Sequence, residues 1–143
     1  MALTTVLQVR EKEKDYAQIA FNESKKRLEG ILTELYSVLK KKETIEKEQA
    51  ITLADKIPID MLKEQQSYIE SLNNKIIQLQ RKYEQAKREL ERKQIHLTEA
   101  HVEVKKFEKM IENRLIEEQK ETRKLEQDLM DDLSIRQYLN QNR

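Results

Sequence analysis

The sequence has no cysteine and no tryptophan, and only one glycine and one proline among 143 residues. Each absence removes a class of protein. Without cysteine there is no disulfide framework, no thiol nucleophile and no thiolate metal ligand. A single glycine cannot build a Gly-rich phosphate loop. One glycine and one proline also provide few turns, and a compact globule needs many. No run approaches the ~20 apolar residues of a transmembrane helix. The stretch from Met1 to Glu13 lacks the apolar segment and small-residue cleavage site of a secretory signal, so a soluble cytoplasmic protein is expected. Charge of one sign is not in excess either: 28 basic residues stand against 27 acidic, for a net charge of +1. A nucleic-acid binder would show a basic excess or stripe. No nucleic-acid partner is expected, and nothing favours anionic lipid.

What is present is charge. Charged residues make up 38% of the chain, against roughly 25% in ordinary domains. Hydrophobic residues make up 37%, below the usual ~45–50%. Such a composition fits either disorder or an extended helical rod, and periodicity decides between them. In the C-terminal half, Leu62, Gln65, Ile69, Leu72, Ile76, Leu79, Tyr83, Ala86, Leu90, Lys93, Leu97, Ala100, Val104, Phe107 and Ile111 step alternately by three and four. Only Gln65 and Lys93 in that series are polar. The register holds for about seven heptads, beyond the three or four that argue for a coiled coil. Past Ile111 the phase shifts. Leu115, Leu125, Leu129 and Leu133 continue, but Glu118 and Thr122 dilute the seam, so a weaker or different partner is expected there.

The N-terminal half repeats the pattern less cleanly, through Leu3, Leu7, Arg10, Lys14, Ala17, Phe21, Ser24, Leu28, Ile31, Leu35, Val38, Lys42 and Ile45. Polar seam residues cost stability but can fix register. Gly30 costs about 1 kcal/mol relative to Ala inside a helix. Between the halves the pattern fails, and Pro58 disfavours helix at Ile57 before it. The expected architecture is all-α: one coiled-coil domain over 1–143, with helix one at about 3–50, a connecting segment at 51–59 and helix two at about 60–139. At ~1.5 Å per residue these helices span roughly 70 and 120 Å. Matching seams separated by a break favour an antiparallel two-helix coiled-coil hairpin, with the second helix longer and overhanging past about Ile111. A parallel dimer of extended chains is the alternative. The hairpin is expected to be monomeric when free.

No catalytic constellation emerges, so no enzyme, cofactor or metal is expected. His96 and His101 are five residues apart, which turns them about 140° from each other on a helix; metal pairs want three or four. The many glutamates read as a solvated face, with Glu84–Arg88 and Glu89–Lys93 as helix-supporting pairs four apart. Among the aromatics, Phe21, Tyr83 and Phe107 fall on the seam. Tyr36 and Tyr68 fall off it, and exposed aromatics on a charged helix suit interface anchors.

Several segments resemble a known family. KQIHLTEAHVEVKKFEKMIENR (Lys93 to Arg114) is similar to the C-terminal half of the flagellar export protein FliJ family, and MDDLSIRQYL (Met130 to Leu139) to its acidic ending. LQVREKEKDYAQ (Leu7 to Gln18) resembles the family's opening LQ-x-(L/V)-(R/K)-E-x-E segment. QQSYIESL (Gln65 to Leu72) resembles its stretch just after the connecting loop. AHVEVKKFEKM and QQSYIESL are the most specific pieces, and the resemblance covers nearly the whole chain. One departure is that Leu3 and Val6 stand where the family usually has an early Phe pair.

The resemblance implies a soluble component of the flagellar type III export apparatus, cytoplasmic and peripherally associated with the membrane at the basal body. Its implied partners are the hexameric export ATPase, engaged by the paired helix ends, and the cytoplasmic domain of the export gate; the family also associates with export chaperones. By that analogy Tyr68 and Leu72 are the gate-contact candidates. Leu7, Arg10 and Lys14 are candidates for the ATPase contact. The coiled-coil core is expected at Phe21, Leu28, Ile31, Leu35, Val38, Ile69, Ile76, Leu79, Tyr83, Leu90, Leu97, Val104, Phe107 and Ile111. The competing function is a generic coiled-coil spacer that only self-associates, which predicts no affinity for an ATPase.

Overall fold

A computed structural model describes residues 2–55 and 58–142. It contains two helices, α1 (Ala2–Ala54) and α2 (Ile59–Gln141), and no strand among the described residues. α1 runs four residues beyond the expected 50, because Ala50, Ile51, Leu53 and Ala54 impose no break. Pro58 starts α2: its carbonyl accepts the first amide bonds of the helix, from Met61 at 3.1 Å and Leu62 at 3.4 Å. Lacking an amide proton costs Pro58 nothing there, since helix-start amides have no intrahelical acceptor. Asp60 puts a negative charge in the first turn of α2, where the helix dipole favours it. The effect of Pro58 on Ile57 lies outside the described residues.

The chain divides into two compact units. One comprises Asp15–Thr98; the other joins Met1–Lys14 to Glu99–Arg143. In the first unit α1 and α2 run antiparallel and close as a hairpin at the Pro58 connection. Cross-helix contacts fix the direction, because α2 numbers fall as α1 numbers rise. Arg27 meets Glu89 at 3.3 Å and Glu34 meets Lys75 at 3.8 Å. Near the connection, Gln49 meets Gln66 at 3.2 Å. Glu89 thus reaches across the hairpin instead of four residues along to Lys93. These pairs are exposed and contribute little each; their value here is as markers of register.

The stabilising contacts lie between them. Val38, Leu72, Ile76 and Leu79 form a buried cluster, with Leu35 and Ile45 packed against it. Ala17, Ser24 and Ala86 are also buried, and their small side chains let the helix axes approach. At the turn end the seam becomes polar. The Thr52 hydroxyl donates to the Glu48 carbonyl at 2.8 Å and accepts from the Gln65 amide at 3.1 Å. The Gln65 side-chain oxygen is buried without a donor, a cost that a purely apolar pair would avoid.

In the second unit, the start of α1 packs on residues 100–118 of α2. Ala100 and Val104 are buried. Leu3 and Thr4 share a small crevice with Ile111, Arg114 and Leu115. From Glu112 to Asn142 every described residue is exposed, and beyond Glu118 α2 is helix without a packed neighbour among the described residues.

Two stability outcomes follow. Leu79, 2% exposed, should cost about 3 kcal/mol when cut to Ala, whereas Leu32→Ala at a 43% exposed site should stay within about 0.5 kcal/mol. Urea unfolding followed by circular dichroism compares them, and equal costs would remove Leu79 from the core. A Cβ added at Gly30 meets nothing within 4 Å. Gly30→Ala should therefore stabilise by up to about 1 kcal/mol; a loss of stability would mean that the helix does not run smoothly through that position.

Candidate protein-docking surface

The seam residues fall where side chains are wanted for packing. Val38, Ile69, Ile76, Leu79 and Val104 are buried. Phe21, Leu28, Ile31, Leu35, Tyr83, Leu90, Leu97, Phe107 and Ile111 are half-buried. What remains at the surface is mostly Glu, Lys, Arg and Gln, so an exposed aromatic is conspicuous.

Tyr36 and Tyr68 are two such residues, 61% and 46% exposed. Both lie in the hairpin unit, and both line the same shallow groove of about 590 Å³, with Lys40, Lys41 and Ile45 beside them. The Lys40 ammonium stands 5.1 Å from the centre of the Tyr36 ring, within the range of a cation–π contact. Lys41 has no carboxylate within ion-pair distance among the described residues. The groove thus joins two aromatic rings, one aliphatic side chain, two lysines, the Glu48 carboxylate and the hydroxyls of Thr33, Ser37 and Thr44. That chemistry suits a protein segment with apolar groups and charges of both signs. Leu72, four residues from Tyr68, is 5% exposed and belongs to the core cluster. Its side chain supports the helix under Tyr68.

Leu7, Arg10 and Lys14 fall together in the other unit, all half-buried. Arg10 is engaged within the fold. Its guanidinium donates to Glu13 at 2.9 Å and lies 5.8 Å from the Phe107 ring centre. The Glu13 hydrogen bond and charge, with Glu103 adding to them against partial desolvation, raise its pKa above the ordinary arginine value. The arginine therefore stays charged under all ordinary conditions. Its Nε is shielded from solvent and has no acceptor. Arg10 thus keeps a seam position by laying its guanidinium against Phe107 while Glu13 holds its charge.

His96 and His101 are both exposed. Among the described residues no cluster of three or more His, Cys, Asp or Glu could hold a metal ion. No helix among them is long and apolar enough to cross a membrane. Lys40, Lys41 and Ile45 escaped the sequence reading of the groove. Lys40 and Lys41 belong to a run of three lysines, and only the neighbouring helix, which brings Tyr68 near, makes two of them part of a surface.

Comparison with known proteins bears on what this surface meets. No solved structure matches the chain. A curated relative, the flagellar FliJ protein of Bacillus subtilis (strain 168), is 31% identical over 134 residues, covering 94% of this chain and 91% of the relative. The family model described as flagellar FliJ protein matches residues 1–143. With the family pattern running the length of the sequence and two paired helices carrying it, the chain belongs to the FliJ family of flagellar proteins.

Proposed function

We propose that the chain is a stalk and adaptor of the flagellar type III export apparatus, which binds the hexameric export ATPase and the cytoplasmic domain of the export gate and promotes ATPase assembly and substrate export. Family membership makes it a component of that apparatus; the two partners are what the proposal adds. The observation that carries it is Tyr68, left 46% exposed in the QQSYIESL segment and lining one groove with Tyr36 of the other helix. Burying an aromatic ring of this kind in a partner's pocket is the commonest form of interface anchor. Tyr68 makes the gate contact, with Leu72 fixing the helix beneath it and Tyr36 and Lys41 widening the surface. Export chaperones are further partners that the family reading brings with it.

The ATPase contact belongs to the other unit, around Leu7, Arg10 and Lys14. A helix with its side chains is about 10–12 Å across. Where α1 and α2 pair, the cross-section is therefore about 20 Å, narrow enough to enter a ring. The charged flanks make modest contacts that can be exchanged as the nucleotide state changes.

Two experiments test the proposal. Mixed with the export ATPase of the same organism, the chain should give a saturable rise in hydrolysis and a complex on sizing. If ring-forming conditions yield neither binding nor stimulation, the generic spacer is the better reading. Tyr68→Ala should weaken binding to the gate domain by about tenfold or more, with helix content and unfolding midpoint unchanged. Undiminished gate affinity in that variant would remove Tyr68 from the site.

A further inference from the structure

The unit that joins Met1–Lys14 to Glu99–Arg143 leaves a long helical stretch unpaired. Leu115, Leu125, Leu129 and Leu139 are 54%, 70%, 60% and 59% exposed. Ile116, Met130, Leu133, Ile135 and Tyr138 are exposed beside them, but these four leucines share one heptad frame. Starting at Leu115 the steps are three, four, three, four, three, four, three, through Glu118, Thr122, Leu125, Leu129, Asp132 and Arg136 to Leu139. That is a heptad seam of about 36 Å by the helical rise, offset from the one that ends at Ile111. Among the described residues only Leu3 and Thr4 approach it, at the end that carries Leu115 and Glu118.

The order of residues identifies what does. Read from either end, the stretch has leucine at its ends and centre and a charge next to each end leucine; between them Thr122 stands on one side and Asp132 on the other. The two charges near the ends are opposite in sign, Glu118 and Arg136. We propose that this stretch pairs antiparallel with the same stretch of a second copy of the chain. In that register Leu115 faces the second copy's Leu139, Leu125 faces its Leu129, Thr122 faces its Asp132, and Glu118 faces its Arg136. The last pairing occurs twice, once at each end. Antiparallel coiled coils set first seam positions of the heptad against fourth ones, and all four pairings obey that rule. A parallel in-register pair would instead set Glu118, Asp132 and Arg136 each against its own copy, and like charges across a seam are repelled. An unrelated partner gives no reason for two opposite charges, Glu118 and Arg136, to stand equally far from the two ends.

Two features set the strength of the pairing. Arg136 already has Asp132 at 3.5 Å, with both side chains exposed, so it is shared between Asp132 and the second copy's Glu118. Glu126 and Asp128 flank the seam near its centre and approach their own counterparts. Those four carboxylates keep the dimer weak and salt-dependent. The dilute chain is therefore a monomer, and the concentrated chain pairs through these stretches while the hairpin unit stays intact. The inference rests on the fold and the seam alone, and does not require the export reading.

Sedimentation velocity on the full chain, from low to high micromolar concentration, tests it. The chain should pass reversibly from monomer to dimer. Glu118→Arg or Arg136→Glu alone should weaken the association about tenfold or more, and the two together should restore it to within about threefold. All four positions of the test, Leu115, Glu118, Arg136 and Leu139, are solvent-exposed in the single chain, and circular dichroism checks that helix content is kept. Because the chain has no cysteine, orientation can be read by oxidation. Leu115→Cys mixed with Leu139→Cys should cross-link, and Leu115→Cys alone should not. A chain that stays monomeric throughout, single charge swaps without effect, or Leu115→Cys cross-linking to itself would each overturn the proposal.

Discussion

The structure depends on one interaction, the burial of a thin stripe of apolar side chains of one helix against the matching stripe of the other. A chain that is 38% charged has no second source of buried area. Helix propensity helps only modestly, since tertiary packing rather than propensity stabilises most helices in proteins. In the hairpin unit the stripe is densest at Val38, Leu72, Ile76 and Leu79. It thins to alanine and serine in one direction and to threonine and glutamine at the turn. Surface ion pairs such as Arg27–Glu89 mark the register but do not replace the stripe.

That economy has a functional side. Several large apolar residues stand outside the seam, Ile19, Leu32, Ile77 and Ile95 among them, and an aromatic ring left there represents area withheld from folding. Tyr36 and Tyr68 are withheld in this way, and they line one groove. Leu72 shows the opposite allocation within the same segment, spent in the core. The division between Tyr68 and Leu72 is the kind a docking helix needs: one residue fixes the backbone, and its neighbour is free to enter a partner. A generic spacer has no use for the second residue.

The seam was legible in the sequence residue by residue, because a period of three and four is a property of one chain and needs no knowledge of its neighbour. The same holds for the antiparallel turn, which Pro58 and the loss of periodicity around it announce. Off-seam Tyr36 and Tyr68 could be singled out by the same arithmetic. Their sharing a groove could not, since that depends on which α1 residue lies opposite which α2 residue. Lys40 and Lys41 were hidden for that reason among many similar lysines. Arg10 was hidden differently. In sequence it is a charge that weakens the stripe. In the fold it is a charge tied to Glu13 and laid over Phe107, so the position is filled rather than lost. Gln65 is the counterexample, a polar seam residue only half satisfied.

The polar seam positions also bear on why one helix keeps two different seams. Through Ile111 the stripe is mostly apolar and its partner is on the same chain, where the effective concentration is high and a strong stripe gives a permanent pair. From Leu115 onward four of the eight seam positions are polar or charged, and the partner is not supplied in cis. A strong apolar stripe exposed there would associate with any similar helix and would be an aggregation hazard. Diluting it with Glu118, Thr122, Asp132 and Arg136 lowers affinity for everything, but lowers it least for a partner whose charges are complementary. Weakness and selectivity therefore come from the same residues. A helix built in this way packs in cis through its longer part, up to Ile111, and leaves the shorter part beyond it exposed.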